Sequence, residues 1–196
     1  MAGRSDWIDA GLRILETEGA PAVTIERLTE RLGLSKGSFY HHFKGMPAFR
    51  TALLERFEAD YTTAYIDVVE LGPERPAIRK IHDLIELVAT DDPSSALEVA
   101  VRAWAQQDPE VRVTQERIDR TRLDYVQWLW EELTGEPVES ARLARLCYLI
   151  LIGGDHLIPA VSQAEMREIL TTVVDLATAS LAADGRTAKH TERNPA

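Results

Sequence analysis

At 196 residues, with 45% of them hydrophobic and 28% charged, the chain is long enough to bury a core and has the make-up of an ordinary soluble protein. No apolar run nears the roughly 20 residues that span a bilayer, and no secretory leader opens the sequence, so a cytoplasmic protein is expected. The net charge of −10 counts against a nucleic-acid partner if spread evenly, and a single cysteine, Cys147, excludes an internal disulfide and reads as a buried structural thiol among Leu146, Tyr148 and Leu149.

In chain order, the first predicted helix covers about Asp6 to Glu18, with Ile8, Leu12 and Leu15 on one face and Gly19 as its stop. It is expected to pack across the next two helices, with Arg4 and Ser5 ahead of it in reach of a phosphate. The stretch Thr24–Phe43 then parses as two short helices around a tight turn. Thr24 is an N-cap, Ile25, Leu28 and Leu32 recur at helical spacing, and Gly33 ends the segment. Leu34 is the apolar plug of the turn, and Ser35 caps a second helix through Lys36, Gly37, Ser38, Phe39, Tyr40, His41 and His42. Phe39 and Phe43 form its inward face, which leaves Lys36, Ser38, Tyr40 and His41 outward as donors and acceptors for phosphates and base edges.

Charge follows the same division. From Thr24 to Arg50 there are five basic residues (Arg27, Arg31, Lys36, Lys44, Arg50) against two acidic ones (Glu26, Glu30), so this segment carries +3 and the rest of the chain −13. A locally basic segment on an acidic body suits a DNA-binding domain.

Thr24, Leu28, Gly33, Leu34, Ser35, Lys36, Gly37, Tyr40, His42, Phe43 and Lys44 stand in the order and spacing of the TetR family of bacterial transcription regulators, which this chain resembles over roughly its first 60 residues. The resemblance implies an all-α protein in which a three-helix DNA-binding domain (1–46) precedes a larger helical effector-binding and dimerisation domain (47–183). It also implies that Thr24, Lys36, Gly37, Ser38, Tyr40, His41 and Lys44 meet DNA: Tyr40 and Lys44 on phosphates, Lys36, Ser38 and His41 near bases, Thr24 anchoring its helix on the backbone. Two positions depart from the family pattern. Glu26 stands where a basic or polar DNA contact is common, and Met46 where a phosphate-binding lysine is common; Lys44 and the N-terminus of the fourth helix are expected to compensate.

The fourth helix starts at Pro47 and runs to Leu71 before Gly72 and Pro73, with Leu53, Leu54, Phe57, Tyr61, Tyr65 and Val68 near one face and no internal breaker. Five more helices follow: about Pro76 to Thr90, Ser94 to Gln107, Asp108 to Thr134, Val138 to Leu157, and Ser162 to Ala183. Asp108 and Pro109 open the seventh as cap and first-turn proline, and Ser162 with Glu165 opens the ninth as a capping box. The last thirteen residues, 184–196, lack periodic apolar positions and are expected to be disordered.

The eighth helix is apolar all round through Leu143, Ala144, Leu146, Cys147, Leu149, Ile150 and Leu151, which predicts burial on every side. The ninth offers a matching stripe. A two-fold four-helix bundle is therefore expected, with Leu146, Leu149, Ile150, Gly153, Met166, Ile169 and Val173 at a homodimer interface. A helix buried wholly within one chain is the competing reading. His82, Trp104, Tyr125, Trp128, Tyr148 and His156 fall within the helical body; through the resemblance they become candidates to line a cavity for an apolar or aromatic small-molecule effector, although each singly suits core packing.

No HExxH, CxxC, glycine-rich phosphate loop or GxSxG occurs, so neither an enzyme nor a bound metal or cofactor is expected. The reading is a homodimeric, ligand-responsive repressor released from a palindromic operator. The alternative is a helical small-molecule-binding or assembly protein without DNA binding.

Overall fold

The residues that cap and stop helices in the sequence do so in the computed structural model, which describes residues 3–90 and 92–191. The helices are α1 (Arg4–Glu18), α2 (Ile25–Leu32), α3 (Lys36–His42), α4 (46–70), α5 (Ala77–Val88), α6 (Asp92–Ala105), α7 (Pro109–Thr134), α8 (Pro137–His156) and α9 (Gln163–Thr191). These nine helices and a 3₁₀ turn at Ala20–Ala22 account for the regular structure among the described residues, which contain no strand. The all-α expectation holds.

Local chemistry explains the ends. The Thr24 hydroxyl accepts from the Arg27 N–H at 3.1 Å, the Ser35 hydroxyl from Ser38 at 3.3 Å, and one Asp108 carboxylate oxygen from Glu110 at 3.0 Å, so each helix start has a donor satisfied by its cap. Gly33 sits at φ 65°, ψ 30°, a left-handed conformation that only glycine adopts without cost, and this folds the chain from α2 back toward α3.

Two differences from the predicted elements stand out. The fourth helix is a single rod, but its middle, Ala59–Thr63, is a π turn between the α-helical Met46–Glu58 and Ala64–Glu70. A wide turn of this kind leaves no mark in apolar periodicity. The second difference lies toward the C-terminus, where α9 continues to Thr191, past the end predicted near Ala183 and into the stretch expected to be a disordered tail. A helix already nucleated propagates cheaply through good helix formers such as Ala182, Ala183, Arg186, Ala188 and Lys189, even where no apolar stripe demands it. Residues 192–196 of that expected tail lie outside the described ones.

The chain resolves into two compact units, Met1–Val68 with Asp91–Arg122, and Val69–Thr90 with Leu123–Ala196. The break at residue 46 expected from sequence is not where these units divide; the divisions fall inside α4 and inside α7. The reason is visible in α1. Beyond the predicted stripe of Ile8, Leu12 and Leu15 it also buries Trp7, Ala10, Gly11 and Ile14, and α2, α4 and α6 all pack against it. Leu97, Val101, Trp104, Val111 and Ile118 from α6 and α7 thus join Trp7, Leu28, Phe39, Phe49, Leu53 and Phe57 in one core.

The same unit holds a half-buried charge network around the buried Glu98, on the π turn. Arg122 donates to the Tyr61 carbonyl (3.1 Å), to the Thr62 hydroxyl (2.8 Å) and to Glu98 (2.9 Å), while Glu98 also pairs with Arg102, which makes two bonds to Asp119. Guanidinium forks are suited to such multi-partner sites. In the second unit, Ile81, Ile85, Leu129, Trp130, Leu143, Ala144, Met166, Leu170 and Val174 form the core.

Candidate nucleic-acid interface

Three helices build the reading surface from the core outward. Phe39 and Phe43 are buried as predicted, and Phe39 meets Trp7 of α1 and Phe49 of α4 with ring centroids 5.5 and 5.6 Å apart. This aromatic cluster fixes the roll of α3. With Phe39 and Phe43 pinned inward, Lys36, Gly37, Tyr40, His41 and Lys44 are left exposed and Ser38 half-buried. Tyr40 is 58% exposed, an unusual state for a large aromatic side chain and suited to one that meets a partner from outside. Thr24 spends its hydroxyl on capping α2. Met46 is half-buried and packs against the core at the start of α4.

The electrostatics of this face differ from what charge counting suggests. Arg27 is held by Glu18, with Nε–Oε2 at 3.0 Å and Nη2–Oε1 at 2.9 Å, and donates through Nη1 to Glu30 at 2.9 Å. Lys36 forms an ion pair with Glu26 across the turn. A hydrogen bond from Lys36 holds the Glu26 carboxyl below its ordinary range, and the same bond raises the Lys36 ammonium. Three of the five basic residues counted from sequence are therefore already partnered by acids, since Arg50 also pairs with Asp108 at 3.8 Å. Sequence separation hid this: Glu26 and Lys36 lie ten residues apart, Glu18 and Arg27 nine, and only the folded turn brings each pair together. Arg4, singled out as a phosphate contact, lies over the Phe43 ring at 5.1 Å.

Of the candidate effector residues, Trp104 falls in the first unit and the other five in the second. Trp104 is 6% exposed in the core of the first unit, with the Arg50 guanidinium 5.6 Å from its ring. Tyr125 and Trp128 do lie together, rings 5.9 Å apart, but in a polar lock: Tyr125 donates to Glu70 at 2.6 Å, Lys80 pairs with Glu70 at 2.5 Å, and the Lys80 ammonium sits 4.8 Å over Trp128. Burial pushes the Tyr125 hydroxyl far up from its ordinary range, and the bond to Glu70 adds to this. His82 and Tyr148 are half-buried, and His156 is exposed with Nδ1 2.8 Å from the Ile152 carbonyl at the end of α8. A cleft of about 210 Å³ lies between Pro47, Arg50 and Leu54 of α4 and Asp108, Val111 and Arg117.

Of the residues expected at a dimer interface, Leu146, Leu149, Gly153 and Ile169 are exposed, and Ile150 and Val173 half-buried. Met166 is a correction: at 4% exposure it belongs to the core of its own unit, packed so closely on α8 that a side chain at Gly154 would run into it. Within one chain α8 is covered on one side, with Leu143 and Ala144 buried and Leu149 63% exposed, which counts against the competing reading of a helix buried wholly in the monomer. Cys147 is half-buried, and burial raises its thiol.

Among known proteins, residues 8–53 match the family described as bacterial regulatory proteins, tetR family. No curated protein matches the chain by sequence. Solved structures similar in fold include a Rhodococcus sp. protein described as a TetR-family transcriptional regulator (18% identity, 89% of this chain and 98% of that one, TM-score 0.74). Others are Escherichia coli NemR in reduced form (21%, 87% and 95%, 0.72) and a TetR-family transcriptional regulator from Streptomyces coelicolor (16%, 91% and 89%, 0.71). No described helix is long and apolar enough to cross a membrane. Residues 8–53, which carry α2, α3 and the start of α4, thus match the model of the tetR family, and the chain shares the fold of these solved regulators over about nine-tenths of its length.

Proposed function

We propose that the protein acts as a homodimeric, ligand-responsive repressor in the cytoplasm, reading a palindromic operator with two copies of α3 set in successive major grooves about 34 to 36 Å apart. The observation that carries this is the exposed polar face of α3 on a rigid aromatic core. Tyr40 and Lys44 bind phosphates, Lys36, Ser38 and His41 approach bases beside Gly37, and Thr24 anchors α2 on the backbone. Residues 1–46 keep the reading role, and residues 47–183 the effector and dimer roles. One head whose cations are partly neutralised binds weakly, so specificity rests on two heads joined.

The dimer forms along α8 and α9, where Leu146, Leu149, Ile169 and Leu176 leave an apolar strip exposed on each chain. The effector is a small apolar or aromatic molecule; His82, Tyr125, Trp128, Tyr148 and His156 remain its candidate contacts in the second unit.

Selection from a random duplex library tests the reading. We expect an inverted-repeat sequence bound with strong salt dependence, because phosphate contacts release counterions. Recovery of no sequence, or binding indifferent to salt, would sink it in favour of a helical binding or assembly protein. Release of the selected duplex on adding single members of an aromatic compound panel tests the effector.

A further inference from the structure

The Glu26–Lys36 pair joins the second residue of α2 to the first residue of α3, with both side chains more than half exposed (68% and 59%). N-terminal residues of a reading helix are those that reach base edges. A carboxylate held there is costly if it does nothing, because it faces phosphates and occupies the one cation of that turn. Joined, however, the two groups present an acceptor and a donor side by side. The major-groove edge of a C·G pair presents the complement: the cytosine N4 amino group donates, and guanine O6 beside it accepts, with guanine N7 next in line.

We infer that Glu26 is a specificity determinant, accepting from a cytosine N4 amino group while Lys36 donates to O6 and N7 of the paired guanine. This rests on α3 being the reading helix. The orientation is selective. On an A·T pair the same arrangement sets Lys36 against thymine O4, a single acceptor crowded by the 5-methyl group, and on a reversed G·C pair Glu26 meets guanine O6, acceptor against acceptor. The ion pair also positions both side chains before binding, which reduces the ordering left to do on DNA. Both groups remain charged near neutrality, Lys36 holding the Glu26 carboxyl low and Glu26 holding the ammonium high.

The test is duplex selection and competition binding with the full-length protein and two variants, Glu26→Ala and the exchange Glu26→Lys with Lys36→Glu. Both side chains are more than half exposed, so both variants are expected to melt within a few degrees of the parent. The parent should require C·G at one symmetry-related position of each half-site. Glu26→Ala should lose that preference by at least about fivefold, the low end of a good base contact, with the other positions unchanged. The exchange should reverse the preference to G·C. A uniform gain in affinity on every sequence, with the selected motif unchanged, would overturn the inference and leave Glu26 as a repulsive charge only; no change in either variant would place the pair outside the groove. Failure of the parent to select any sequence would instead count against α3 as a reader, so the two ideas fail separately.

Discussion

In the proposed reading mode, two side chains four residues apart on α3, Lys36 and Tyr40, separate specificity from affinity. Tyr40 stands out from the helix at 58% exposure, where a hydroxyl can bind a phosphate whatever the sequence, while Lys36 is preset by Glu26 toward one place. We expect Tyr40→Ala to weaken cognate and scrambled duplexes alike. Lys36→Ala should cost roughly 1 to 3 kcal/mol on the cognate site alone. Fluorescence anisotropy on the two duplexes measures both, and an equal loss of discrimination from the two changes would contradict the division. At this scale much was legible in the sequence. Thr24, Ser35 and Asp108 as caps, Gly33 as a left-handed stop and Phe39 and Phe43 as the inward face all follow from local chemistry and helical spacing. The partner of Glu26 was not, since its role as an apparent misfit in the reading stretch resolves only when Lys36 arrives beside it.

Helices in this chain are tied to one another by polar contacts that periodicity does not reveal. Arg122, half-buried against the π turn of α4, binds a carbonyl, a hydroxyl and the buried Glu98 at once. Glu98 keeps Arg102 if Arg122 is lost, yet it remains buried with less charge compensation. We expect Arg122→Ala to destabilise the fold by about 3 kcal/mol, at the lower end for breaking a buried ion pair, as read from urea unfolding monitored by circular dichroism. The lock around Glu70 has a pH signature. Burial pushes the Glu70 carboxyl up, but hydrogen bonds from Lys80 and Tyr125 outweigh it and leave the group below its ordinary range. A carboxyl lowered by folding adds stability above its unfolded value, near 4.3, and that stability is lost as the pH falls through the lower folded value. Thermal melts between about pH 7 and pH 3 should therefore fall less steeply for Glu70→Gln than for the parent across the acid end of that range; parallel profiles would show that the lock does not favour the charged carboxylate.

For the whole molecule, the proposed assembly makes a demand that one chain cannot meet. The strip of Leu146, Leu149, Ile169 and Leu176 is exposed on each copy, and a stable pair of proteins buries about 1,200 to 2,000 Å² in total. We expect Leu149→Arg to leave the helical fold intact, since Leu149 is exposed, and to shift sedimentation from dimer to monomer. Operator affinity should drop by at least about tenfold as the second head is lost. A variant that still sediments as a dimer would remove α8 from the interface.

By itself the sequence determined the helices, their caps, the turn and the outward face of α3, because each depends on residues within four or five positions of one another. Tertiary structure alone decided what those helices pack against. It carried α6 and the first half of α7 into the core of the N-terminal unit, placed Trp104 there and Met166 in its own core, and set a π turn in the middle of α4. The physical reason is that an apolar face specifies only that it must be covered, and leaves the identity of the cover to packing among all the helices. The same holds for charge. Counting gave a basic segment, and the fold decided which of its cations already had partners.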